Sequence, residues 1–172
     1  MKAQYHALAG GIAAAALIPV LGIDSAVFFA SSVLIDGDHY IDYVYRTGFK
    51  DFSVRRMFSF HGLLLRRELG RDFLGLSLAH TVEALLLVYS AGGLTGWMWS
   101  RALLWGMFFH MAFDLADLYR RGRLFRRAFS IIEYIIRWNR LKRKGLDPEL
   151  TYREVLASMP AAPQAPGDET GG

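Results

Sequence analysis

The sequence predicts an all-α fold: a membrane-embedded bundle of about four transmembrane helices with amphipathic helices on its cytoplasmic side. Two observations support this class. The chain of 172 residues is 53% hydrophobic and 21% charged, and its mean hydropathy is +0.21. Apolar and charged residues are also segregated, because four apolar segments contain no Lys or Arg: residues 7–20, 26–35, 73–99 and 102–113.

Each apolar segment predicts one span, since about 20 residues cross a hydrocarbon core of about 30 Å. The predicted spans are residues 6–22, 25–45, 73–92 and 101–119. The first contains the small residues "ALAGGIAAAA", which allow a neighbouring helix to approach closely. A signal peptide is the alternative interpretation of residues 1–30.

Basic residues predict the topology. They collect between Arg46 and Arg71 and again from "YRRGRLFRR" to "RLKRKG", whereas the connections 21–25 and 90–100 contain none. Because Lys and Arg favour the cytoplasmic side, both termini are expected in the cytoplasm of a multi-pass protein of the inner or plasma membrane. The net charge of +4 is therefore attributed to basic residues that face membrane lipids, and no nucleic acid partner is expected.

Two further stretches, residues 53–69 and 128–142, have basic amphipathic patterns. They predict helices that either lie on the cytoplasmic leaflet or cover the ends of the bundle. Residues 159–172 are rich in Pro and Gly and are expected to be a disordered tail, which leaves residues 1–158 as a single helical membrane domain.

Ionisable residues occur in every predicted span, where each is costly and therefore marks a candidate site. They are His6, Asp36, Asp38, His39, Asp42, His80, Glu83, His110, Asp114 and Asp117. On a helix, His80 and Glu83 would share one face, as would His110 and Asp114. A rise of about 1.5 Å per residue places most of them in one layer of the cytoplasmic half of the membrane.

Acids and histidines in one layer favour a divalent cation, because a cation compensates several carboxylates at once. With no cysteine in the chain, nitrogen and oxygen ligands predict zinc, or else manganese or iron, as one or two ions. Simpler interpretations exist for single residues. Asp36 and Asp38 could cap a turn, Asp117 could pair with Arg120 or Arg121, and His61 could be a packed histidine.

The motifs "YHALAGG", "LIDGDHYIDY", "AHTVEALLL" and "FFHMAFDLADL" resemble the membrane-bound metal-dependent hydrolases described as LexA-binding and inner-membrane-associated. The resemblance covers about residues 5–118 and falls on the eight residues His6, Asp36, Asp38, His39, His80, Thr81, His110 and Asp114. This chain departs from the family at Ile35, where Pro is usual, and lacks a His-Arg pair shortly before His80. A weaker similarity, in the His110/Asp114 pair, is to zinc-dependent phospholipase C and P1-type nucleases.

The resulting hypothesis is a metal-dependent hydrolase acting on a lipid or phosphoester at the cytoplasmic leaflet. Its metal ligands would be His6, Asp36, His39, His80, His110 and Asp114, with Asp38 or Glu83 as the general base. Asp42, His61 and Asp117 are expected around them, and phosphate binding is assigned to Arg55, Arg56, Arg66, Arg67 and Arg71. The alternatives are a non-catalytic ion or proton path and a membrane adaptor with a structural polar cluster.

Overall fold

The structure, a computed structural model, describes residues 3–67, 73–96 and 99–160, and these residues are predominantly helical. The all-α class is therefore confirmed. The helices are α1 (Ala3–Leu21), α2 (Asp24–Leu34), α3 (Gly37–Arg46), α4 (Val54–Arg67), α5 (Val82–Thr95), α6 (Trp99–Arg120), α7 (Ile131–Arg143) and α8 (Leu150–Ser158). Two 3-10 turns, Leu78–His80 and Leu124–Arg126, and two short strands, β1 (Gly75–Leu76) and β2 (Arg127–Ala128), complete the described elements.

Helices α1, α2 and α6 pack closely because glycines stand at their crossings. A Cβ on Gly10 of α1 would lie 2.4 Å from Ser32 Oγ of α2. A Cβ on Gly106 of α6 would lie 2.3 Å from the carbonyl oxygen of Phe28 in α2. Only a residue without a side chain permits these approaches. The close packing places the ends of α1, α2 and α6 that carry ionisable residues next to one another.

A second packed region joins α3, α4 and α8. Its core consists of apolar side chains that are almost fully buried: Tyr43, Val44, Met57, Phe60, Leu64, Phe73, Tyr152 and Val155. Arg46 closes this core, with its guanidinium carbon 3.4 Å from the centre of the Tyr152 ring. Burying a side chain such as Phe60 stabilises the fold by roughly 1.5–3 kcal/mol. This region therefore fixes the position of α3, which follows directly after Asp36.

The second predicted span, residues 25–45, is not one helix. Helix α2 ends at Leu34 and α3 begins at Gly37, so Asp36 lies at the junction as the residue before α3. Such a break allows the Asp36 side chain to leave the face that a continuous helix would have given it. The junction is the first place where the structure departs from simple helical counting.

The predicted helix over residues 73–92 is wrong in its first part. Residues 73–81 contain β1 and a 3-10 turn, and α5 begins only at Val82. Thr81 stops the helix from starting earlier, because it is extended (φ −92°, ψ 154°) and its hydroxyl accepts a hydrogen bond from the N–H of Ala84. His80 and Glu83 therefore do not share a helical face, contrary to the prediction, because the Thr81 cap separates them.

Among the described residues, one helix is long and apolar enough to cross a membrane, over Gln4–Leu21, and Val82–Thr95 is a shorter apolar helix. The four-span arrangement stays a prediction. The expected disordered tail falls on residues 161–172 for its greater part, and this part lies outside the described residues.

Candidate metal centre

Four ionisable side chains converge at the end of the α1–α2–α6 bundle. They are Asp36 at the α2–α3 junction, His80 in the 3-10 turn before α5, and His110 and Asp114 on α6. One nitrogen or carboxylate oxygen of each lies within 4.8 Å of the corresponding atoms of the other three. This group could hold a metal ion, since imidazole and carboxylate are the common nitrogen and oxygen ligands of zinc, iron and manganese.

The separations between these atoms suit a single ion. His110 Nε2 lies 3.3 Å from Asp36 Oδ1 and 3.8 Å from Asp114 Oδ2. His80 Nε2 lies 3.6 Å and 3.8 Å from the same two oxygens. Four ligands about 2.0–2.1 Å from one tetrahedral ion would stand about 3.4 Å apart. The four atoms need only small movements to reach that arrangement.

Hydrogen bonds on the outer nitrogens orient both histidine rings. Nδ1 of His110 lies 2.8 Å from the carbonyl oxygen of Ser32, and Nδ1 of His80 lies 3.0 Å from Oδ2 of Asp38. Both partners accept hydrogen bonds, so each Nδ1 carries a proton, and each Nε2 points to the centre, where it can bind a metal ion once it is unprotonated. Both Nε2 atoms are buried, and within the described part of the chain neither has a hydrogen-bond partner. This is the orientation that a metal-binding histidine requires.

The charges around the group leave room for a cation. Asp36, Asp38 and Asp114 place three carboxylates beside the rings of His80 and His110. Arg127 offsets one of them, because its Nη1 lies 3.0 Å from Asp114 Oδ2. A divalent cation would balance the remaining negative charge, which is costly at such burial without compensation.

His6 and His39, both predicted as ligands, contact the carboxylates of the group from outside the four. The ring of His6 stacks on that of His110 with centroids 4.1 Å apart, and its Nε2 lies 3.1 Å from Asp114 Oδ1. The Nε2 atom of His39 lies 3.5 Å from Asp36 Oδ1, while its Nδ1 lies 3.2 Å from Asp38 Oδ1. His6 therefore supports Asp114, and His39 bridges two acids at the edge of the group.

The two residues predicted as general bases have other contacts. Asp38 accepts hydrogen bonds from Nδ1 of His80 and, at 3.0 Å, from the N–H of Ala79, which makes it the residue that orients His80. Glu83, in the first turn of α5, contacts the start of α7: its Oε1 accepts hydrogen bonds from Ser130 Oγ at 2.6 Å and from the Ile131 N–H at 3.1 Å. The expectation that Glu83 lies beside His80 on one helix is corrected by the cap at Thr81.

The three residues expected around the site have partners of their own. Asp42 accepts two hydrogen bonds from Nε of Arg46, at 2.9 and 3.0 Å. Asp117 lies 2.9 Å from Nε of Arg121, which is one of the two pairings foreseen for it.

His61 lies behind His39, because its Nε2 is 2.9 Å from the His39 carbonyl oxygen and the two rings are 5.0 Å apart. Burial lowers the pKa of His61 and so favours a neutral ring that donates to this carbonyl. His61 is therefore a packed histidine that supports His39.

The arginines assigned to phosphate binding do not line the cavity in the described part of the chain. Arg55 and Arg66 are exposed, and Arg67 lies 4.0 Å from Glu154. Arg56 pairs with Asp51 and donates to the Pro160 carbonyl at 2.7 Å. Arg71 lies outside the described residues.

A cavity of about 530 Å³ opens beside the four-residue group. Asp36, Asp114, His6 and His39 contribute to its wall, together with three arginines of the second basic block: Arg121, Arg126 and Arg127. This volume lies in the range of about 300–1,000 Å³ that is typical of ligand sites. The sequence pattern "YRRGRLFRR" indicates only the topology. Helical spacing does not predict that its arginines lie near the carboxylates of the site.

Contacts between two distant segments of the chain bring Arg127 to the site. β1 pairs in parallel with β2, and Gly75 stands opposite Arg127. The Val82 N–H also donates to the Phe129 carbonyl at 2.9 Å. These contacts hold residues 127–129 against the segment that carries His80.

No protein-family model, no curated protein and no solved structure matches this chain.

Proposed function

We propose that the protein is a membrane-bound, metal-dependent hydrolase that acts on an ester or phosphoester at the cytoplasmic leaflet. One observation carries the proposal: Nε2 of His80 and of His110 face the carboxylates of Asp36 and Asp114 at the edge of a large cavity. The resemblance to membrane-bound metal-dependent hydrolases agrees with this class.

Zinc is the proposed ion, because two imidazoles and two carboxylates without thiolates match a catalytic rather than a structural zinc site. The two histidines are buried, whereas Asp36 is 25% exposed and borders the cavity. Because four protein ligands would fill a tetrahedral zinc, Asp36, the ligand on the cavity wall, would be the one to give up its position to a water molecule. When bound, such an ion lowers the pKa of a water molecule and polarises the bond to be cleaved.

His39 is the proposed general base. It is partly exposed, lies on the cavity wall, and has Asp36 and Asp38 on either side of its ring. A proton taken from water at the cavity edge would reach His39 more directly than Glu83, whose Oε1 is held by α7, or Asp38, which holds His80. Arg127 would keep Asp114 ionised and stand beside the developing negative charge.

A membrane location is supported by apolar surface on the helices. Ile23 after α1 and Leu94 in α5 are each 89% exposed, and Leu87 and Val20 also lie on the surface. Large apolar side chains exposed to this degree would be stabilised by contact with lipid. We propose the multi-pass arrangement with cytoplasmic termini, which places the cavity at the cytoplasmic leaflet.

Hydrolysis of soluble chromogenic substrates tests the proposal. The purified protein, stripped of metal by chelator and reloaded with Zn²⁺ or Mn²⁺, should cleave p-nitrophenyl acetate, p-nitrophenyl phosphate or bis(p-nitrophenyl) phosphate only when metal is present. Asp36→Asn should lose this activity, and Asp24→Asn, a change in the first turn of α2, should keep it. Stoichiometric metal binding without hydrolysis of any of the three would show a structural site instead.

A further inference from the structure

We infer that the substrate is a phosphate ester of a chain-bearing alcohol, with its phosphate at Arg127 and its apolar chain along α4. This inference rests on the proposed function and names the substrate class of the same site. Two features of the cavity, one charged and one apolar, lead to it.

The charged feature is an incompletely paired guanidinium. Nη1 of Arg127 binds Asp114, whereas Nη2 is buried and has no acceptor within the residues that the structure describes. Leaving a buried donor unpaired is unfavourable, and more so for a charged group. A phosphate oxygen is the acceptor that a guanidinium binds best, and Arg127 is held in place for it by the β1–β2 pair.

Two more cations, Arg121 and Arg126, contribute to the wall of the same cavity. Arg121 is already paired with Asp117. Its positive charge would reduce the electrostatic cost of placing a phosphate near the carboxylates. An anionic headgroup is therefore favoured over a neutral ester.

The apolar feature is the wall formed by α4 and its neighbours. Its lining side chains are Val33, Met57, Phe58, Leu64, Leu65 and Leu118. Phe58 is 57% exposed and Leu65 is 38% exposed, so the wall continues from the cavity onto the protein surface. A small polar phosphoester would leave this apolar wall exposed to water. An alkyl chain would cover it, and each buried methylene would improve the free energy of binding by about 0.8 kcal/mol.

The two features are joined at the end of α4. Nη1 of Arg123 donates to the Leu65 carbonyl at 2.6 Å, which ties the basic segment to the apolar wall. One ligand can therefore contact both at once, with its phosphate inside and its chain leading outward. In the reaction, the water oxygen bonds to phosphorus, the bond from phosphorus to the chain oxygen breaks, and the released alcohol takes up one proton.

Binding of alkylphosphonates, which cannot be hydrolysed at the P–C bond, tests the inference without turnover. Isothermal titration of the zinc-loaded protein in detergent would compare methyl-, butyl- and hexylphosphonate with hexyltrimethylammonium. We expect affinity to rise about fourfold for each methylene that enters the cavity, and the ammonium compound to bind at least tenfold more weakly than hexylphosphonate.

Two matched variants locate the chain. Phe58→Ser should flatten the dependence on chain length, whereas Phe52→Ser should preserve it, because Phe52 is similarly exposed at 61% but does not line the cavity. Equal affinity for methyl- and hexylphosphonate would overturn the chain site, and equal affinity for the ammonium compound would overturn the phosphate site. Either result leaves hydrolysis of the soluble substrates intact, so it is distinguishable from failure of the proposed function.

Discussion

Nδ1 of His80 lies 3.0 Å from Oδ2 of Asp38, and this contact sets the direction in which His80 can bind a metal. The same oxygen accepts a hydrogen bond from the N–H of Ala79, so Asp38 holds both the His80 ring and the backbone of the preceding residue. The Ser32 carbonyl orients the His110 ring in the same way. The Nε2 atoms of both histidines therefore face the carboxylates of Asp36 and Asp114 before any ion binds. The site is preorganised by its outer contacts.

Asp38→Ala tests this contact. Without the carboxylate, His80 can turn and protonate at either nitrogen, so the affinity for Zn²⁺ should fall about 10–100-fold. Isothermal titration of metal-free protein measures it, and Asp24→Ala should leave the dissociation constant unchanged. An unchanged constant for Asp38→Ala would show that His80 is oriented by packing alone.

Glu83→Ala separates structure from catalysis. Loss of the acceptor for Ser130 and Ile131 should loosen the start of α7 and lower the thermal midpoint, because two partly buried donors lose their partner. Metal affinity and hydrolysis should stay at the wild-type level. A large fall in kcat with an unchanged midpoint would restore Glu83 as the general base.

Gly106→Ala tests the packing that assembles the site. Its new methyl group would meet the Phe28 carbonyl at 2.3 Å, so α2 and α6 must move apart and separate Asp36 from His110. We expect destabilisation of about 1–3 kcal/mol together with weaker metal binding. Gly93→Ala in α5 meets nothing within 4 Å and should be neutral or stabilising by about 0.5–1 kcal/mol. Denaturant titration of the two variants would measure both effects.

Asp51 predicts a pH dependence of stability away from the metal centre. Burial alone would raise the pKa of Asp51, but hydrogen bonds from Tyr43, the Ser53 N–H and Arg56 outweigh it and hold the pKa below its usual value. Its contribution to stability is therefore complete above the unfolded-state pKa of about 3.9 and is lost as the pH falls through the folded-state pKa.

Comparison of Asp51→Asn with the wild type checks this sign. The difference in thermal midpoint should be constant between about pH 5 and 8 and should shrink below about pH 4. A difference that grows in acid would mean that the carboxyl group, not the carboxylate, is the stabilising form.

Part of the site follows from sequence spacing. His110 and Asp114 are one helical turn apart on α6, and helical counting predicts that Asp36 lies level with them. The structure places Asp36 Oδ1 3.3 Å from His110 Nε2. His80 also reaches the group, although by a 3-10 turn rather than by the helix that was expected. The spacing rule fails there because Thr81 caps α5 and the chain before it is irregular.

The remaining contacts depend on pairings between distant segments. Arg127 reaches Asp114 because two-residue strands at Gly75 and Arg127 meet, and so short a strand has no periodicity to detect. The role of Asp38 depends on the turn that carries His80, and that of Glu83 depends on where α7 begins. Amphipathic spacing predicts the helices at α4 and α7 but not which arginines face the cavity.

Metal content tests the central claim most directly. The purified wild-type protein, incubated with Zn²⁺ and freed of excess ion, should hold one zinc per chain by elemental analysis. Asp36→Ala, with its helical content checked by circular dichroism, should hold much less, and Asp24→Ala should match the wild type. A wild-type protein without bound metal, or an Asp36→Ala variant with an undiminished zinc content, would contradict the account.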